Sequence, residues 1–148
     1  MADLLLNNSK GYWDIDFENG DFALTEGLET ALLMSIYVDK RAAASEVPRV
    51  QARRGWHGNL LSGFDTYEIG SKLWLLCQAR RDQNTLNLTQ TYTSDCLFWL
   101  VTDSIATKIE TDASFIVNGV AVYVTIYRSQ NEILNKSYIL WNNTDFLE

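Results

Sequence analysis

The densest group of side chains that could do chemistry is a run of carboxylates near the N-terminus. Asp14, Asp16, Glu18 and Asp21 flank an Asn-Gly pair and offer the hard oxygen ligands that calcium prefers. In a calcium loop the glycine would fall one place earlier, and a glutamate would stand at the twelfth position. Alternation with apolar residues explains the same carboxylates as the solvent-facing side of a strand. We therefore predict no metal site here.

Carboxylates could also serve a glycosidase, which needs an acid paired with a nucleophile or base. Asp95, Asp103 and Glu46 are available, but nothing in the sequence singles out a pair. His57, the single histidine, stands beside Trp56 without a recognisable nucleophilic triad, and we interpret it as a hydrogen-bonding loop residue. Since no glycine-rich phosphate loop is present either, we predict a protein that is not an enzyme and has no cofactor.

The two cysteines also argue against a metal site. Cys77 and Cys96 are far apart and neither belongs to a CxxC pair, so we predict two small buried apolar residues in a reducing compartment. Zinc is disfavoured because His57 alone could complete such a site.

Composition limits the class of protein and of partner. The 148 residues are 47% hydrophobic, which is enough for one domain with a core and at most a tail. The formal charge of -7 disfavours binding to nucleic acid, and no apolar run is long enough to span a membrane. Local basic clusters form either a solvated face with ion pairs or a phosphate site. They are Lys40-Arg41, Arg49, Arg53-Arg54 and Arg80-Arg81.

The elements that would position these residues begin with a β-hairpin. Trp13–Glu18 alternates apolar and acidic residues, Asn19-Gly20 favours a tight turn, and Asp21–Leu24 returns. In this register Glu18 faces Asp21, an unfavourable like-charge pair unless a basic partner covers it.

Three helices and a long loop follow. Thr25 is predicted to cap the first helix, which runs to about Ala43 or Ala44, and the loop over 45–70 is long enough to suggest a function. A short buried helix over 71–77 precedes one from Thr85 to about Asp103. Its predicted core stripe is Leu88, Tyr92, Cys96, Trp99 and Leu100.

The last third is predicted to be β-structure. Strands over 108–117 and 120–128 flank Asn118-Gly119, and 137–141 forms either a third strand or a projecting arm. The fold class is therefore α+β, with an antiparallel sheet built from N- and C-terminal β-hairpins and about three helices packed on it.

Four tryptophans have predicted roles. Trp74 and Trp99 are expected in the core. Trp56, between two glycines of the long loop, either plugs a core edge or anchors an interface, and Trp141 is expected at an interface.

Five segments resemble, in order and spacing, the tail baseplate wedge proteins of Mu-like contractile phages. That family is similar to the lysozyme-like baseplate protein of T-even phages and to its counterparts in R-type pyocins and type VI secretion. The resemblance covers about residues 12–128 and implies a domain over 1–130, followed by a strand or arm over 131–148. The segments are Gly20–Ala31, Asp39–Ala42, Arg53–Asn59, Gly70–Leu76 and Tyr92–Leu100.

The resemblance implies a structural subunit of the virion tail baseplate, assembled in the host cytoplasm. Such a protein would join other wedge proteins and the hub and tube in a six-fold arrangement. It would also template the first sheath ring, and an exposed sheet edge that accepts a partner strand would suit that role. The alternative implied by the lysozyme-like label is a peptidoglycan-cleaving enzyme.

Arg41, Arg54 and Trp56 are predicted to fasten the long loop to the first helix or to a neighbouring wedge protein. The family more often has Gly-Trp-Trp-Gly-Asp in this loop, whereas His57 and Asn59 occupy the variable places here. Lys40 and Lys72 also stand where arginine is commoner in the family. These differences weaken any bidentate contact that the loop would make to a carboxylate.

Overall fold

The computed structural model describes residues 2–7, 12–26, 28–61, 68–128 and 132–140, and Trp141 lies outside them. The chain divides into two compact units, Met1–Met34 and Ser35–Glu148. Antiparallel strands in both units, with helices between them, confirm the α+β class. No described helix is both long and apolar enough to cross a membrane. The division into a domain over 1–130 and an arm over 131–148 stays a prediction.

The N-terminal unit is built from short antiparallel strands. Leu5, Asp16 and Ala23 exchange backbone hydrogen bonds of 2.9–3.1 Å where three segments meet. The strands are β1 (Ala2–Leu4), β2 (Leu6–Asn7), β3 (Asp14–Ile15), β4 (Phe17–Glu18), β5 (Asp21–Phe22) and β6 (Leu24–Glu26). The pairs are β1 with β6, β2 with β3 and β4 with β5.

The predicted N-terminal hairpin is confirmed. Asn19 and Gly20 form its turn with φ of 53° and 84°, as a type I′ turn requires. The predicted cap at Thr25 is wrong, because Thr25 lies in β6 opposite Asp3. The side-chain hydroxyl of Thr25 instead donates to the Glu29 carboxylate at 3.3 Å.

Helix α1 spans Glu29–Tyr37 and is shorter than predicted. It ends there because the following backbone pairs with a distant segment. The Lys40 N–H donates to the Ser71 carbonyl at 2.8 Å, and the Ser71 N–H donates to the Val38 carbonyl at 2.8 Å. Tertiary pairing therefore overrides the helical pattern beyond Tyr37.

The C-terminal unit contains short helices, one long helix and a three-stranded sheet. The predicted short helix over 71–77 is a single 3₁₀ turn. The segment predicted as a strand or arm over 137–141 is, as far as Leu140, part of a longer third strand. The elements are a 3₁₀ helix (Val50–Ala52), α2 (Gly58–Leu61), a second 3₁₀ helix (Leu73–Leu76), α3 (Gln83–Leu97), α4 (Trp99–Thr102), β7 (Lys108–Ile116), β8 (Gly119–Tyr127) and β9 (Ile133–Leu140). The sheet order is β7-β8-β9, fully antiparallel.

Helix α3 is capped one turn earlier than predicted. Asp82 accepts the Thr85 N–H at 2.8 Å, so the helix begins at Gln83 rather than Thr85. The predicted core stripe is also wrong for most of its length, although Leu100 is buried. The buried face of α3 is instead Thr85, Thr89, Thr93 and Leu97.

The threonines can be buried because their hydroxyls bond within the helix. Thr89 donates to the Thr85 carbonyl and Thr93 to the Thr89 carbonyl, each at 2.8 Å. With the polar atoms satisfied, only methyl groups remain to pack. Leu88, Tyr92, Cys96 and Trp99 are half-buried beside this face.

The core of the C-terminal unit lies on one face of β8. Helix α3 packs on β7, and alternate residues of β8 are almost completely buried. The second hairpin turns at Val117-Asn118, one residue before the predicted pair, because Ile116 is paired with Gly119. The buried residues on this face of β8 are Val120, Val122, Val124 and Ile126, and Ala121 is buried on the other face.

Candidate interaction site

The long loop is fastened through an Arg54 cluster, which we define as Asp39, Arg41, Arg54, Gly55 and Trp74. The Arg54 guanidinium donates to the Asp39 carboxylate at 3.2 Å and lies 4.9 Å from the centre of the Trp74 ring. Arg41 donates to the Arg54 carbonyl at 3.4 Å. An ion pair stacked on an aromatic face holds the loop to the segment that follows α1.

Two glycines allow the backbones to approach one another closely around this cluster. Gly55 has φ of 107°, and an added Cβ would come within 2.8 Å of the Arg41 Cβ. Gly70 has φ of 112°, and its Cβ would lie 2.5 Å from the Val38 carbonyl oxygen. Any side chain at either place would be strained both by the backbone angle and by contact.

Trp56 and His57 lie on the outer side of the same loop. The Trp56 backbone N–H donates to the Asp39 carbonyl at 2.9 Å, while 40% of the residue is exposed. Its ring lies against Gly58, where an added Cβ would be 2.3 Å from a ring carbon. His57 is exposed, with its ring centre 6.3 Å from that of Trp56. The structure thus anchors the backbone of this loop and leaves both rings accessible.

Asn59 explains one difference from the family loop. Its side-chain amide donates to the Ile69 carbonyl at 2.9 Å, and its oxygen accepts the Ile69 N–H at 3.0 Å. An aspartate could accept but could not donate, so the amide closes the loop in a way that a carboxylate could not.

Two carboxylates that we considered for catalysis, Glu46 and Asp95, line an open cleft of about 670 Å³. Glu46 pairs with Lys72 at 2.9 Å and accepts the Ala43 N–H at 2.8 Å. The Ala43 N–H first, and then Lys72, lower the pKa of Glu46. A glycosidase acid needs a carboxyl whose pKa is raised, so Glu46 is held in the wrong protonation state. Asp103 is not among the lining residues.

The cysteine prediction is half wrong. Cys77 is exposed at the end of the second 3₁₀ helix, where its side chain leaves the core. Cys96 is half-buried, and desolvation of its thiol raises the pKa of Cys96 to about 12. Among the described residues, no group of three histidine, cysteine or acidic side chains is placed to hold a metal ion.

The outer edge of β9 presents backbone groups that β8 does not use. The Arg128 N–H donates to the Glu132 carbonyl at 2.9 Å, which sets the alternation of the ladder. Glu132 and the even-numbered residues of β9 therefore bond to β8, and the odd-numbered residues direct their N–H and C=O groups outward. Those residues are Ile133, Asn135, Ser137 and Ile139.

One outward group of β9 is already occupied. The Tyr37 hydroxyl donates to the Ile139 carbonyl at 3.0 Å, and its ring contacts Tyr138 edge-on. Desolvation raises the pKa of Tyr37 against the opposing effect of that hydrogen bond. Within the described chain, no hydrogen bond to the outward backbone groups of Ile133, Asn135 or Ser137 is found. The open part of this edge is therefore 133–137.

The opposite edge of the sheet, along β7, is partly covered by side chains. The Asp112 carboxylate accepts the outward N–H of Ala113 at 2.8 Å and is itself held by Gln90 of α3 at 2.9 Å. The Thr111 hydroxyl donates to the Gln90 carbonyl at 3.3 Å. The middle of the β7 edge therefore faces side chains of its own strand and of α3.

Sequence reasoning selected the loop but missed several of its partners. The glycine-flanked Trp56 marked the loop, whereas Asp39, Trp74 and Lys72 are brought to it by pairing between distant segments. An exposed edge in the C-terminal third was expected, but its place along 133–137 was not located. Alternation of polar Asn135 and Ser137 with buried Tyr138 and Leu140 is the signal that could have located it.

The amino-acid sequence of the chain is similar to those of phage proteins. A family model described as Phage protein GP46 matches residues 28–133. The chain is 32% identical over 114 residues to "Mu-like prophage FluMu protein gp46" of Haemophilus influenzae, which is 77% of each chain. It is 30% identical over 121 residues to "Baseplate protein gp46" of Escherichia phage Mu, covering 80% of this chain and 81% of that protein.

Proposed function

Because the chain belongs to the phage protein GP46 family, we propose that it is a structural subunit of a phage tail baseplate. The observation that carries this proposal is the 30% identity, across four-fifths of both chains, to a protein named as a baseplate component. Its place is then the virion tail. We propose a wedge position, in six-fold arrangement with hub and tube proteins after assembly in the host cytoplasm.

Within the baseplate, the proposed role is to template the first sheath ring by β-strand addition. The open edge at 133–137 supports this role, since an added strand could pair with three outward-facing residues in succession. At the β7 edge, by contrast, the Asp112 carboxylate already accepts the outward N–H of Ala113, which disfavours strand addition in the middle of that edge. The exposed loop rings of Trp56 and His57, with Arg41, Arg54 and Trp141, are proposed contacts to neighbouring baseplate proteins.

Substitution of one residue by proline tests the open edge of β9 while the hydrogen bonds between β8 and β9 remain. In Ser137→Pro the outward N–H is lost, while the N–H groups that bond to β8 remain on other residues. Particles that carry this variant are expected to contain tubes and baseplates with few sheathed tails in electron micrographs. Ser137→Ala keeps the N–H and is the matched control, for which normal tails are expected. Normal contractile tails in the proline variant would overturn the templating role.

We also propose that the subunit has no peptidoglycan-cleaving activity. The ion pair with Lys72 and the Ala43 hydrogen bond favour the ionised form of Glu46, which makes Glu46 unsuitable as the general acid of such an enzyme. Zymography of the purified chain beside Glu46→Gln and Asp95→Asn is expected to show no clearing for any of the three. Clearing by the wild type that either substitution abolishes would overturn it and support the alternative enzyme.

A further inference from the structure

The β4–β5 hairpin carries an exposed apolar face. Phe17 and Phe22 are cross-strand partners whose rings lie 5.0 Å apart, yet they are 65% and 49% exposed. Tyr12, Trp13 and Leu24, nearby in the chain, are also exposed. Since an aromatic side chain has about 150–250 Å² of surface, the contacting rings of Phe17 and Phe22 together expose on the order of 200 Å². Contiguous apolar surface of this kind is typical of a binding site.

The opposite face of the same hairpin is acidic. Glu18 is paired directly with Asp21, as predicted, and both side chains are exposed together with Asp14. None of the three forms an ion pair with any described residue. Like charges placed directly across a strand pair destabilise it. The arrangement thus carries an energetic cost that a cationic neighbour would remove.

The charge of the chain is concentrated in this unit. The first 34 residues contain seven acidic residues and one basic residue, whereas the remaining residues contain twelve acidic and eleven basic. A second copy of the same unit would bring like charges together and is therefore a poor occupant of the surface. A basic partner gains both from the apolar face and from the carboxylates.

We propose that the hairpin from Asp14 to Phe22 docks into a groove of another baseplate protein that has an apolar floor and a rim of lysine and arginine side chains. Phe17 and Phe22 occupy the floor, and Glu18 and Asp21 face the rim. The inference rests on the proposed baseplate function, but it concerns a different surface from the β9 edge and a partner of different chemistry.

The test measures binding of the purified full chain to each of the other baseplate proteins of the same particle. The wild type is expected to bind one of them, with a Kd that rises with salt. Glu18→Lys/Asp21→Lys and Phe17→Ser/Phe22→Ser are each expected to raise that Kd about tenfold or more. Cross-linking from a photoreactive residue at position 17 should map to apolar residues of the partner that are flanked by lysine and arginine side chains.

Two matched controls separate docking from general effects. Leu60→Ser/Leu61→Ser removes two leucines that are 77% and 79% exposed in α2, and Asp95→Lys reverses an exposed carboxylate in α3. Both are expected to bind as the wild type does. Circular dichroism of each variant checks that the chain remains folded, since every substituted side chain is at the surface.

Different failures have different meanings. If one baseplate protein binds the wild type and both hairpin variants equally well, the hairpin proposal is overturned and the proposed function stands. If no baseplate protein binds the wild type, the proposed function fails and the docking proposal fails with it. A dimer of the chain that is lost in Phe17→Ser/Phe22→Ser would identify a second copy as the occupant and overturn the basic partner.

Discussion

The two hairpins of this chain each have an Asn-Gly pair at or beside the turn, but they differ in how far they are exposed to solvent. The first joins β4 and β5, strands of two residues each, and leaves both of its faces exposed. The second joins β7 and β8, strands of nine residues each, and buries Val122 and Ile126 completely on one face. An Asn-Gly pair therefore marks the place where a hairpin forms. The length of the strands, and whether a helix packs on them, decide whether the hairpin contributes to a core.

The largest expected difference between the hairpins is in core energetics. Ile126→Ala should lower the free energy of unfolding by about 2–5 kcal/mol, since the side chain is 0% exposed and leaves a cavity. Phe22→Ala should cost less than about 2 kcal/mol, because half of that ring is already in water. Urea denaturation of both variants measures the difference. Equal losses would show that the first hairpin also supports a core.

The second difference lies in the turns themselves. Gly20 has φ of 84°, so Gly20→Ala should destabilise the first hairpin by about 1 kcal/mol. Gly119 does not have a positive φ, and Gly119→Ala should bring no such strain. Amide hydrogen exchange at Glu18 and Ile116, which are paired across the two turns with Asp21 and Gly119, reports the two effects separately. Faster exchange at Ile116 in Gly119→Ala would contradict the assigned turn.

Local chemistry made part of the fold predictable. An Asn-Gly pair between alternating residues needs no distant contact to form a turn, so the first hairpin could be located to the residue. The end of α1 could not be predicted in this way, because it depends on backbone hydrogen bonds to Ser71, which lies more than thirty positions away. The buried threonines of α3 also escaped prediction, since polarity argues against burial unless the hydroxyl bonds within the helix.

The candidate site likewise has some features that could be predicted from the sequence and others that could not. The glycines around Trp56 marked the loop because tight backbone approach needs glycine, and Gly55 is indeed packed against Arg41. The partners that hold Arg54, namely Asp39 and Trp74, come from segments that only the folded chain brings together. The open edge of β9 depends on the register of a third strand, which the sequence left as either strand or arm.

A smaller effect, opposite in sign, is expected from reversing one charge in the first hairpin. Asp21→Lys replaces a like-charge pair with an attractive one opposite Glu18 and should stabilise the chain by about 0.2–1 kcal/mol. Asp21→Asn, which only removes the repulsion, should stabilise it less. Thermal unfolding measures both. Because the lysine is also expected to weaken docking, one substitution should raise stability and lower affinity, which a merely misfolded variant could not do.

The smallest expected effect concerns the matching carboxylate of the second hairpin. Hydrogen bonds from Lys108 and Tyr127 lower the pKa of Glu110, so its ionised form is favoured in the folded chain. This contribution is complete above the ordinary pKa of a glutamate and is lost as pH falls through the lowered folded value. Glu110→Gln should therefore lower the unfolding midpoint near neutral pH, and the difference from wild type should vanish in acid. A difference that grows on acidification would show that this carboxylate, like Asp21 in the first hairpin, is opposed rather than supported by its neighbours.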